Sequence, residues 1–106
     1  MQFFVKRNDT QPRMLARLTD GDGAAINLTD CSVRFHMKLI AGAIKIDASA
    51  AIVTPLEGVV RYDWQPSDTN AAGSYKAEFE VTYPDNTIET FPNDSYIRVE
   101  IIDDIT

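Results

Sequence analysis

At 106 residues, with 44% hydrophobic and 25% charged residues, the chain has the size and balance of one globular domain with a single modest core. Ten basic residues against sixteen acidic ones leave a net charge of −6. That balance argues against nucleic acid and against insertion into or adsorption on an anionic membrane, both of which call for a basic face or a long apolar run.

The first segment, Met1 to Asp9, places Lys6 and Arg7 where a secretion signal needs an apolar stretch. Cys31 is alone, so no internal disulfide forms; with no secretion signal, this predicts assembly in a reducing cytoplasm. From Arg13 to Thr19, Met14, Ala16 and Leu18 alternate with polar neighbours and predict a first weak strand. Asp20-Gly21-Asp22-Gly23 is a turn signal. A calcium loop would need further oxygen ligands and a following glutamate, but Ala24 and Ala25 come next and the next glutamate is Glu57.

Ser32 to Leu39 alternates without a fault: Val33, Phe35, Met37 and Leu39 are apolar, and Ser32, Arg34, His36 and Lys38 are polar. This is a strand with one face on a core and one in water. Ala41-Gly42-Ala43 predicts a reversal into Ile44–Ile46. Ala48-Ser49-Ala50-Ala51 is too short for a helix and runs into Ile52-Val53. Pro55 to Gly58 predicts a turn into a strand in which Val60, Tyr62 and Trp64 share a face. Pro66 to Ala72 is read as one helical turn capped by Asp or Ser. Tyr75, Ala77, Phe79, Val81 and Tyr83 then alternate with Lys76, Glu78, Glu80 and Thr82, and Pro84 to Thr87 predicts a hairpin into Ile88–Phe91. Ile97, Val99 and Ile101 form the last strand face.

Eight or nine short strands at this spacing predict an all-β domain. Sheets with one apolar face must close on each other. The expected fold is an immunoglobulin-like two-sheet antiparallel β-sandwich over 1–106, and Gly73-x-Tyr75 matches the spacing of the tyrosine corner of immunoglobulin domains.

The chemistry-bearing residues do not gather. His36 is the one histidine and lies on the polar phase of a strand; Cys31 opens that strand as a packed thiol; one Cys and one His cannot make a zinc site. Glu78 and Glu80 share a solvent face. No catalytic, metal or cofactor-binding residue is assigned, and no enzyme activity is expected. Trp64, Tyr62, Tyr75, Phe79 and Tyr83 fall on apolar phases and are expected in the core. Tyr96, on an outward phase, and Phe91, before Pro92, are the candidate interface aromatics.

Several segments resemble one family in order along the chain. They are Phe4 to Thr10, Asn27 to Met37, Gly58 to Trp64, Ala71 to Val81, and Glu89-Thr90-Phe91-Pro92-Asn93-Asp94-Ser95-Tyr96-Ile97. Together they are similar to the N-terminal domain of phage baseplate upper proteins, and to small tail-tip proteins of Bacillus siphophages. The resemblance implies an immunoglobulin-like sandwich in a virion tail tip, without enzymatic activity, that docks other tail or baseplate proteins and supports the host-adhesion apparatus. Its alternative is a module that itself binds a host-surface glycan or receptor. Baseplate upper proteins carry a long C-terminal part beyond this domain, so a single domain implies an accessory component, with homo-oligomerisation as a further expectation.

Overall fold

The computed structural model describes residues 1–105. Its strands are β1 (Gln2–Lys6), β2 (Met14–Arg17), β3 (Ser32–Leu39), β4 (Ile44–Thr54), β5 (Val59–Tyr62), β6 (Gly73–Thr82), β7 (Ile88–Phe91) and β8 (Ile97–Ile102), with a 3₁₀ turn at Pro55–Glu57. The all-β expectation holds. Among the described residues no helix is long and apolar enough to cross a membrane.

The strands join in one hydrogen-bonded path, β1-β8-β6-β3-β4-β5-β2, with β7 also on β6. The path curls until it nearly closes into a barrel. β4 makes the corner. Its first part, Ile44 to Ala50, pairs with β3, and its last part, Ala51 to Thr54, pairs with β5. β7 and β8 lie end to end along β6, opposite Phe79–Thr82 and Gly73–Ala77 respectively. All of these pairs are antiparallel except β1 with β8, which is parallel from Gln2↔Arg98 to Lys6↔Ile102.

Period-2 alternation decides what is inside. Val33, Phe35 and Met37 of β3 and Tyr75, Ala77, Phe79 and Val81 of β6 are buried, while the residues between them face outward. Phe35 is the centre of the core. Its ring stacks on Tyr62 at 4.5 Å, meets Trp64 edge-on at 5.8 Å and lies 5.1 Å from Phe79. Offset and edge-on pairs of this kind add about 0.5–1.5 kcal/mol each beyond the burial itself. Trp64 Nε1 donates to the Pro12 carbonyl at 3.0 Å, and Phe3 packs on the same indole, so the β1–β2 connection is drawn over the core.

The turns follow the sequence closely. Asp20 Oδ1 accepts from the amides of Asp22 and Ala24, the tight turn expected there. In the β6–β7 hairpin Asn86 adopts φ +69°, the left-handed residue that ends a three-residue loop. Gly58 is required: φ is +67°, and a Cβ would lie 2.5 Å from the Leu18 carbonyl oxygen. The expected helical turn after Gln65 is corrected. Ser67 has φ +77°, outside any right-handed helix, and Asp68 Oδ2 instead accepts from the Tyr62 hydroxyl at 2.6 Å and the Gln65 amide at 2.8 Å.

Candidate functional site

Residues with chemical potential are held in local surface pairs. His36 faces outward from β3 with Nε2 3.2 Å from Asp47 Oδ1 and Nδ1 3.4 Å from Glu78 Oε2. Both ring nitrogens are turned to carboxylates, so the imidazole has no hydroxyl or thiol to activate. The two nitrogens point in opposite directions, which keeps Asp47 and Glu78 from converging on one ion. Among the described residues no group of three or more His, Cys, Asp or Glu is placed to hold a metal. The Arg34 guanidinium, 2.9 Å away, is the main reason the Asp47 carboxyl lies below its ordinary range. The Ser74 hydroxyl and then Arg98, each at 2.6 Å, do the same for Glu100. Cys31 is half-buried and unpaired; burial, then Asp30, pushes its thiol up, away from the reactive thiolate.

The outer face of β4, β3 and β6 is not flat. It holds an open groove of about 420 Å³ between Ile44, Asp47 and His36 on one flank and Lys76, Glu78 and Tyr96 on the other, with Lys38 at one end. Tyr96 is 39% exposed, as its outward phase predicts, and the Lys76 ammonium lies 5.6 Å from its ring centroid. Ile44 reaches this rim through a β-bulge. Met37 pairs with Ile46 and Lys38 with Ile44, so Lys45 is an extra residue. Without it Ile44 would share the inward phase of Ile46, which is 4% exposed; with it Ile44 is 73% exposed.

The exposure expected of Phe91 is corrected. Phe91 is 3% exposed and sits directly opposite Phe79 across β6–β7, and opposed residues of an antiparallel pair point to the same face. Its segment has a structural task. Glu89 accepts from the Tyr83 hydroxyl at 2.6 Å and from Asn93 Nδ2 at 3.1 Å, and Asn93 also donates to the Thr90 carbonyl at 3.0 Å. Burial, and then this bond to Glu89, raises the Tyr83 phenol. Residues Phe91–Asp94 border a second groove of about 520 Å³, facing Arg17–Gly21. Of the residues lining the first groove, Tyr96 alone was a candidate interface residue in the sequence. Lys38, Lys76 and Ile44 were readable as outward or ambiguous positions but not as neighbours, because strand phase gives the face and not the register.

β1 and β2 end the hydrogen-bonded path, so each has one side without a strand partner. Phe4 on β1 and Leu15 on β2 are exposed beside these free edges.

No curated protein matches the chain. The BppU N-terminal domain matches residues 5–104. That match takes in every strand but the first residues of β1, including the hydrogen-bonded Glu89–Asn93 segment. The chain therefore belongs to the BppU (baseplate upper protein) N-terminal domain family, a family of phage baseplate structural proteins.

Proposed function

We propose that this protein is a non-enzymatic component of a phage tail tip or baseplate that docks other tail proteins and so supports the host-adhesion apparatus. One observation carries the reading. The fold commits most of its aromatic side chains to one core and leaves the unpaired strand edges of β1, β2 and β7, and the groove beneath Tyr96, as contact surfaces. The unpaired Cys31 fits assembly in the host cytoplasm. Many copies in a symmetric tail would let modest individual contacts add by avidity.

The same reading takes the curled sheet as an immunoglobulin-like sandwich. Lettered in chain order, with β4 covering the C′ and D positions and β7 and β8 sharing G, the β2–β5 pair matches B–E, and β3–β6–β8 matches C–F–G. The Tyr75 hydroxyl donates to the Ala71 carbonyl at 2.7 Å, the bond that defines a tyrosine corner.

Immunogold labelling of intact virions of the encoding phage tests the proposal. Label at the tail tip, with co-purification of tail proteins, is the expected result; absence from virions overturns it. The adhesin alternative draws on Tyr96 as an exposed ring, and predicts binding on a glycan array that Tyr96→Ala abolishes.

A further inference from the structure

The groove beneath Tyr96 is polar in a directional way. Lys38 stands opposite Lys76 across β3–β6, and Lys76 stands opposite Arg98 across β6–β8. Like charges placed directly opposite each other destabilise a sheet, and this row occurs in a chain whose net charge is −6. Arg98 is compensated by Glu100 at 2.6 Å. Among the described residues neither Lys38 nor Lys76 has an ion-pair partner. Lys76 rests instead over the Tyr96 ring, and the bulge at Lys45, opposite Met37 and Lys38, presents Ile44 as an apolar rim. The other end of the groove carries Asp47 and Glu78 around His36.

We infer that this groove binds an acidic segment of a partner protein, with a carboxylate seated between Lys38 and Lys76 and apolar side chains on either side of it, one against Ile44 and one against Tyr96. The inference rests on the docking reading above and gives it a chemistry. Charge complementarity selects the anion, since two uncompensated ammonium groups face one opening. The polarity of the groove selects a protein segment over a repeating polyanion. A polymer laid along it would bring its next charge against Asp47 and Glu78, whereas a peptide supplies one carboxylate beside an apolar residue. The site binds through point charges, as lysines do, without the planar fork that arginine offers to phosphate.

Two experiments test this on the full chain. In the first, amide NMR shifts are followed while adding the blocked peptide acetyl-Ala-Leu-Asp-Glu-Leu-Ala-amide, its Asn/Gln counterpart, or inorganic phosphate. Saturable shifts at Lys38, Lys76 and Tyr96 with the acidic peptide are expected, weakened at least tenfold by 0.5 M salt and by the K38E/K76E double substitution. No shift at these amides, or equal shifts with the Asn/Gln peptide, overturns the inference; stronger shifts with phosphate do so in favour of a phosphate polymer. Concentration-dependent dimerisation of the free chain that K38E/K76E removes would assign the groove to a second copy, and also overturns it. In the second, incorporation into virions is compared for wild type, K38E/K76E and the charge-retaining K38R/K76R, each checked for an unchanged melting temperature. At least tenfold loss for the glutamate variant with rescue by arginine is expected. Wild-type incorporation of K38E/K76E overturns the inference and leaves the docking role standing. Absence of the wild-type protein from virions overturns the docking role itself, and the NMR result then decides the groove.

Discussion

Phe79 and Glu80 are adjacent in sequence and opposite in environment. Phe79 is fully buried against Phe35, whereas Glu80 lies on the outer face of β6, opposite Arg34. Phe79→Ala should therefore cost about 3–5 kcal/mol through the cavity it leaves, and Glu80→Ala no more than about 0.5 kcal/mol, as read from urea unfolding midpoints. Titration gives a second prediction at this scale. Asp47 and Glu100 both have native carboxyls held below their ordinary range, so the unfolded chain takes up protons first as acid is added. Their contribution to stability is present above the ordinary carboxylate range, about pH 4, and is lost as pH falls through and below it. The melting temperature should drop on that limb, and the drop should be shallower in Asp47→Asn, which cannot titrate. The long alternating strands made the Phe79 and Glu80 environments legible. Phe91 was not legible: β7 has only four residues, its run ends at Pro92, and the face it takes is fixed by Phe79 on another strand.

At the scale of elements, β3 and β6 could be read from alternation alone because each keeps one phase for eight and ten residues. β4 could not. Its centre, Ala48 to Ala51, carries little contrast between faces, and the sequence showed only that it was too short for a helix; in the fold those small residues lie where one strand passes from pairing with β3 to pairing with β5. The bulge that turns Ile44 outward is invisible for a related reason, since a single inserted residue shifts the phase without any change in composition. The β7–β8 loop makes the opposite point. The Glu-Thr-Phe-Pro-Asn-Asp run that leads into it from β7 is demanded by no general strand rule, and Asn93 within it proves to be bonded to both Glu89 and the Thr90 carbonyl. Asn93→Ala removes the donor that joins Glu89 to the Thr90 carbonyl. It should destabilise the domain by about 0.5–1.5 kcal/mol, and speed hydrogen exchange at Thr90 and Phe91 more than at Phe35.

For the molecule as a whole, the alternation argument reached the right class of fold because every half-buried strand needs a facing partner, whichever way the path closes. It gave no hint of the parallel β1–β8 pair, since phase says which face a strand buries and nothing about its direction or neighbour. That pair has a mechanical consequence. Because β1 and β8 run the same way, the chain enters at the end of the pair near Arg98 and leaves at the end near Lys6. Tension applied between the two termini pulls the strands past each other lengthwise, so the bonds from Met1–Arg98 to Arg7–Ile102 share the load at once instead of opening in succession. Resistance to such tension is set by the unfolding rate. Single-molecule stretching through the termini should accordingly meet a higher rupture force than stretching through cysteines placed at Glu80 and Thr90, which are directly opposed, so that the β6–β7 hairpin peels one bond at a time toward its turn. In the docking role proposed above, such a domain would resist pulling along the direction in which its chain runs.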